Sequence, residues 1–295
     1  MKLPASILLA LTMVTAAQAQ APVTYWASLD TSPLISHPAG PFSVAFQLAD
    51  GSGTNDGNNA VVVSNFRFAG GSPSGTPVVA GSAFGSLAST VSLTDSGIVN
   101  YFYQPFTPGT TLSFQITVTT NTDPGGILDE FTFSLLDNTL TPIPTMAGAP
   151  LDLFLYVNLA TKPTVHTYAS DSTRTPSGGG APLTIPAPLM ASLSVTSLNL
   201  GSAPVGMSST PRKVKFTNSG SNPITISAIA ITGTNASDFA QVDNCPVAPA
   251  MLAARASCVI TVTFTPAATG ARRATLSVKD GGGASPTVTL SGKGT

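Results

Sequence analysis

Apolar and polar residues alternate with a period of two along much of the chain. Leu112, Phe114, Ile116 and Val118 point one way, while Thr111, Ser113, Gln115 and Thr117 point the other. Phe131, Phe133 and Leu135 alternate in the same manner with Glu130, Thr132 and Ser134. That period places each set on one face of a sheet, one face in a core and the other wet. It predicts strands at 23–28, 42–49, 60–68, 87–94, 99–106, 110–120, 129–136 and 151–159, parted by Gly, Pro, Asn and Asp turns. No long segment after the first residues follows the 3.6 period of an amphipathic helix. A second series falls at 193–200, 211–218, 224–231, 258–265, 273–279 and 286–292. In it Cys258, Ile260, Val262 and Phe264 share a face, as do Ala274, Leu276 and Val278. Six or seven short strands in residues 191–295 match the count of an immunoglobulin-like sandwich.

The expected fold is therefore all-β, with two β-sandwich domains. Residues 20–168 form the first, of jelly-roll-like character, and 191–295 the second, which is Ig-like. Between them, 169–190 carry Ser177-Gly178-Gly179-Gly180 and then Ile185-Pro186-Ala187-Pro188. Gly and Ser give flexibility and Pro gives extension, so this stretch reads as a linker.

Residues 1–19 read as a secretory signal peptide. Lys2 supplies the basic start, residues 3–17 the apolar stretch, and Ala17-Gln18-Ala19 a small-x-small cleavage box. The alternative is a membrane anchor, but the apolar run is short of the roughly 20 residues a spanning helix needs. The expectation is a cleaved, exported chain at the cell exterior, on the cell surface or in a periplasm. No further segment is apolar and long enough to span a bilayer, and Leu290–Thr295 carry no sorting tail. Cys245 and Cys258, the two cysteines of the chain, lie close together; in an exported protein such a pair reads as a structural disulfide. The alternatives are a redox dithiol, which usually has a C-x-x-C spacing, and a metal site, for which no His stands near.

Charge narrows the function classes. Only 8% of the 295 residues are charged, against roughly 25% in an average soluble protein. Nothing here neutralises a run of phosphates, so nucleic acid is excluded as a partner. Hydrophobic residues at 42% exclude a disordered, charged tail. From 20 to 190 ten acids face three bases, a net charge of −7, while 191–295 hold eight bases and three acids, a net of +5. Arg212, Lys213, Lys215, Arg272, Arg273 and Lys279 supply most of the positive charge. This asymmetry points to an envelope polysaccharide or another surface protein as partner, or simply to solubility.

Candidate chemistry is sparse. There is no G-x-S-x-G elbow, and His37 and His166 stand 129 positions apart. Asp129 and Glu130 are adjacent and face opposite sides of a strand, poor geometry for a carboxylate pair. Asp50, Ser52, Thr54, Asp56 and Asn58 put five oxygen-bearing side chains at a spacing of two, a loop able to wrap calcium. The plainer reading is a strand connection built of turn formers. Trp26, Tyr101 and Tyr103 are candidate ligand aromatics, with core packing as the alternative.

Two stretches resemble known families. Leu198-Asn199-Leu200-Gly201-Ser202-Ala203-Pro204-Val205-Gly206, Phe216-Thr217-Asn218-Ser219-Gly220, Asp238-Phe239, Asn244-Cys245, Ala256-Ser257-Cys258, Phe264-Thr265-Pro266 and the ending Leu290–Thr295 are similar to the ASPM/SPD/Hydin-type Ig-like domain. In bacteria it is called the choice-of-anchor D domain. The resemblance covers 191–295 and implies an Ig-like fold, the disulfide and a scaffold or appended module without activity. The run Phe46–Asn59, with Ser64-Asn65-Phe66, Phe106-Thr107-Pro108-Gly109 and Phe133–Asp137, resembles an exported bacterial family associated with PEP-CTERM tails and of unknown function. Together these features predict a non-enzymatic exported protein with a structural, adhesive or docking role and no cofactor beyond calcium. The alternatives are a carbohydrate-binding protein and a hydrolase on the first sandwich.

Overall fold

The computed structural model describes residues 21–51, 55–121, 127–146, 148–280 and 285–295. The signal-peptide segment 1–19, together with Ser52 and Thr54, lies outside them. Twenty-one strands follow in chain order. They are β1 (Val23–Asp30), β2 (Phe42–Ala49), β3 (Ala60–Arg67), β4 (Ser72–Pro73), β5 (Val78–Ala80), β6 (Phe84–Gly85), β7 (Val91–Thr94), β8 (Val99–Thr107), β9 (Thr111–Val118), β10 (Glu130–Leu136), β11 (Leu155–Asn158) and β12 (Thr164–Thr167). Then come β13 (Leu189–Leu193), β14 (Ser197–Ala203), β15 (Arg212–Asn218), β16 (Ile224–Thr232), β17 (Phe239–Asp243), β18 (Met251–Leu252), β19 (Ser257–Phe264), β20 (Gly270–Asp280) and β21 (Thr287–Gly294). The described helical segments are three single 3-10 turns. The all-β class expected from alternation is what the chain adopts.

One nine-stranded sheet, ordered β17-β19-β15-β13-β1-β9-β3-β7-β6, runs through the molecule. A seven-stranded sheet, β12-β11-β10-β2-β8-β4 with β5 also on β8, covers part of it, and a five-stranded sheet, β14-β21-β20-β16-β18, covers the rest. Two apolar cores result. The first gathers Phe46, Phe102, Phe114, Phe131 and Phe133, with Phe46 ring centroids 5.4–6.1 Å from the other four. The second gathers Phe216, Ile260, Val262 and Phe264 against Leu276, Val278, Val288 and Leu290.

The cores lie on opposite faces of the nine-stranded sheet, and β1 and β13 serve both. Tyr25, Ala27 and Leu29 enter the first core, whereas Trp26 enters the second. Across the ladder Ala27 pairs with Met190 and Trp26 with Ala191. Directly opposed residues share a face, and Met190 indeed sits in the first core and Ala191 in the second. Further ties cross at the edge of this junction. Thr167 Oγ1 and Ser221 Oγ are 2.6 Å apart, and the Arg255 guanidinium donates to Ser219 O at 2.7 Å and to Val165 O.

The 169–190 stretch differs from the flexible linker its composition suggests. Leu183 and Ile185 are buried in the first core. Ser170 Oγ donates to Leu183 O at 2.6 Å and accepts from Ile185 N at 2.7 Å. Arg174 grips Asp152 with two bonds of 2.9 and 3.0 Å. Gly178 N donates to Asp137 at 2.6 Å. The physical reason is apolar content: two large aliphatic side chains recover more on burial than the glycines lose in freedom. Gly180 is needed at its place, since φ is +91° and an added Cβ would stand 2.5 Å from His37 Cε1. The stretch is a strap laid along the first sandwich, ending in β13.

Candidate functional site

The outer face of the seven-stranded sheet carries the most developed surface feature. Its inner face is apolar, so alternation sends Gln47, Tyr101, Thr132 and Tyr156 outward. Register aligns them. His166 pairs with Tyr156, Tyr156 with Thr132, Thr132 with Gln47, and Gln47 with Tyr101. Five strands thus give a row with rings at both ends and an amide and a hydroxyl between. From Tyr156 to Tyr101 the row crosses three strand spacings, about 14 Å. The Tyr156 and His166 rings lie 6.0 Å apart, and the Tyr101 and Tyr103 rings 5.5 Å.

A groove of about 300 Å³ follows this row, and Glu130 lines it beside Tyr156. Apolar side chains form its other bank, among them Leu140 and Leu151, the latter 82% exposed. The Tyr156 hydroxyl donates to Glu130 Oε1 at 2.5 Å. Burial, and then the Glu130 carboxylate, push that phenol up to about 12. Burial, and then Tyr103, raise Tyr101 as well. Both hydroxyls are neutral donors throughout the physiological range. The groove therefore offers aromatic faces and neutral polar edges beside one carboxylate, an arrangement for binding polar ligands with apolar faces.

Of the predicted aromatics, Tyr101 lines the groove and Tyr103 stands beside it, both half-buried. Trp26 is a correction: it is 8% exposed and packs in the second core. The second core packs against the face of β1 that Trp26 occupies, with Leu193 and Leu198 in the same cluster, so that face is covered. Tyr156, Gln47 and Thr132 were not singled out in the sequence. Alternation along 151–159 marks Tyr156 as outward-facing, but nothing local marks it as a neighbour of Gln47.

The two histidines serve different places: His37 Nε2 meets Ala181 O of the strap at 2.9 Å, and His166 ends the groove row. Cys245 and Cys258 form the disulfide, with Cα atoms 4.9 Å apart. Among the bases, Arg212, Lys213, Lys215, Arg273 and Lys279 are exposed, but Arg272 is not free to meet a polymer. Its Nε lies 2.9 Å from the buried Asp238 carboxylate.

The Asp50 and Asp56 carboxylates accept hydrogen bonds from within their own loop. Asp50 Oδ2 accepts from Asn55 N, and Asp56 accepts from Asn58 N and Asn58 Nδ2. Among the described residues, no three His, Cys, Asp or Glu side chains gather into a metal-holding group. A carboxylate pair does occur, with Asp129 but not with Glu130. Asp129 meets Asp95, a residue that ends the β3–β7 ladder, and the two are 1% and 0% exposed. Asn59 bonds both, through N to Asp95 Oδ2 at 3.0 Å and through Nδ2 to Asp129 Oδ2 at 2.7 Å.

Burial, together with Asp129 and Asp56 and against the Asn59 N–H, pushes the Asp95 carboxyl up to about 7 from 3.8. Without divalent cations the folded chain then holds a proton that the unfolded chain releases. The stability this contributes is complete below the unfolded value and is lost as pH rises through the folded one. The unfolding midpoint of the parent relative to Asp95→Asn is expected to fall between about pH 4 and pH 7. A difference that stays flat or rises across that window would contradict the assignment.

No protein-family profile matches the chain. No curated protein matches it. Solved structures with some likeness include the ASH/PapD-like domain 7 of human CEP192, at 13% identity and a TM-score of 0.27, covering 36% of this chain and 84% of that one. They also include the VesB protease of Vibrio cholerae, at 13% identity and a TM-score of 0.29, covering 80% and 95%. A third is a putative membrane anchored protein from Corynebacterium diphtheriae, at 9% identity and a TM-score of 0.23, covering 95% and 90%. The similar structures thus range from a PapD-like domain to a protease and a membrane anchored protein, and at these scores none carries an argument.

Proposed function

We propose that the chain is an exported, non-enzymatic adhesive protein of the cell exterior that holds a carbohydrate in the groove of its first sandwich. The row His166–Tyr156–Thr132–Gln47–Tyr101 carries this reading. A sugar ring has an apolar C–H face and an edge of hydroxyls. Aromatic rings take the face, and the amide, hydroxyl and carboxylate groups take the edge. Three strand spacings between the tyrosines leave room for a short run of units. On its motifs, the second sandwich is a choice-of-anchor D-type module, and its exposed Arg212, Lys213 and Lys215 suit docking onto an anionic envelope component.

Calorimetric titration of the mature chain with neutral and acidic polysaccharides tests this. Binding is expected, with affinity reduced about tenfold or more by Tyr101→Ala, the loss of roughly one stacked ring. Heats absent across the panel, or an unchanged affinity in Tyr101→Ala, would overturn the groove assignment. Binding lost only when Lys213 and Lys215 become Gln would move the contact to the second sandwich. Trp26 fluorescence is not a suitable reporter, because that ring is buried away from the groove.

A further inference from the structure

We propose that Asp95 and Asp129 form a second, independent site, for a hard divalent cation of the calcium class. They meet at one end of the first sandwich, where the chain leaves β2, enters β3, leaves β7 and enters β10. Asp95 Oδ1 is fully buried and receives no hydrogen bond. The Asp129 carboxyl stands within hydrogen-bonding reach of Asp95, and Asp56 adds negative charge nearby. Gly51 N at 2.9 Å and Asn59 Nδ2 at 2.7 Å each donate to one oxygen of Asp129. Every carboxylate oxygen has two acceptor sites, so Asp129 retains capacity after both bonds. The ion pairs Arg174–Asp152 and Arg272–Asp238 do not touch this pair.

Two acceptors facing one another in a dry place call for a positive species between them. The donors are all oxygen, which suits calcium over zinc or copper. Calcium takes carboxylates together with neutral oxygens, and two carboxylates supply the charged part of a weak shell. Its affinity belongs with extracellular modules, at a Kd of roughly 0.1–1 mM. The site differs from the Asp50–Asn58 wrap: it uses the ends of β7 and β10 instead of alternate residues of one loop.

The test is thermal unfolding of the mature chain at fixed pH, with calcium chloride from zero to 10 mM and magnesium chloride as control. The midpoint is expected to rise by several degrees in calcium, saturating in the millimolar range. Calorimetry should give one ion per chain. Asp95→Asn removes one acid and sets an amide donor against Asp129, so it is expected to fold and to ignore calcium. A parent chain with no calcium shift and no binding heat would overturn the proposal, as would a shift that survives in Asp95→Asn. If magnesium matches calcium at equal concentration, the calcium-class assignment fails.

Discussion

Phe46→Ala is expected to lower the stability of the chain by about 3–5 kcal/mol, the usual cost of emptying a large aromatic site in a core. Phe46 is 1% exposed and its ring meets those of Phe66, Phe102, Phe114, Phe131 and Phe133. Truncation leaves a void that five rings fixed on four strands cannot close together. The sharper expectation concerns where the loss is felt. Trp26 is the single tryptophan and belongs to the other core. Because β1 and β13 serve both cores, damage at Phe46 should move the urea midpoint reported by Trp26 fluorescence along with that reported by far-UV circular dichroism. Two separated transitions, with the Trp26 midpoint left in place, would show that the cores unfold independently.

The sequence prepares this result only in part. Strands such as β2 and β9 are legible because their own side chains alternate, and period two survives without knowledge of neighbours. β13 is not legible. Five residues following Pro186 and Pro188 carry no signal of their own, and what makes them a strand is β1 on one side and β15 on the other. The same limit governs the groove. Tyr101 stands out locally, but its alignment with Gln47, Thr132 and Tyr156 depends on the register of three ladders. Asp95 carries no local signal of a site, because its partner Asp129 lies 34 positions on and only the fold brings the two together. Trp26 failed for the converse reason: a ring near the start of a chain looks peripheral until a distant strand covers it.

Removal of the disulfide, as Cys245→Ala with Cys258→Ala, is expected to cost about 3 kcal/mol, from loop closure over a separation of 13 residues. Cys258 is 3% exposed and Cys245 9%, both within the second core. Alanine keeps the sites apolar, so the change isolates the cross-link from the burial. The bond ties β19 to the segment after β17, the outermost strand of the long sheet. That strand is the part expected to loosen first, and hydrogen exchange at Phe239–Asp243 should accelerate more than exchange in β20 and β21. Equal midpoints for the double variant and its parent, under oxidising conditions, would mean that β17 is held by its ladder to β19 alone.

The continuous sheet also dictates an order of events while the chain is being made. β1 is synthesised early, yet one of its two ladders needs β13, whose last residue lies 163 positions after Asp30. At about 5–20 residues per second the wait is on the order of 10–30 s. Once β9 has emerged, 88 positions after Asp30, β1 has β9 on one side and an unpaired edge on the other, with Trp26 turned toward a core that does not yet exist. An open edge bearing a large exposed ring is a template for pairing with a second nascent copy. The fold that makes the finished molecule one mechanical piece therefore concentrates its aggregation risk in a single strand, and confines that risk to the period before Leu193 emerges.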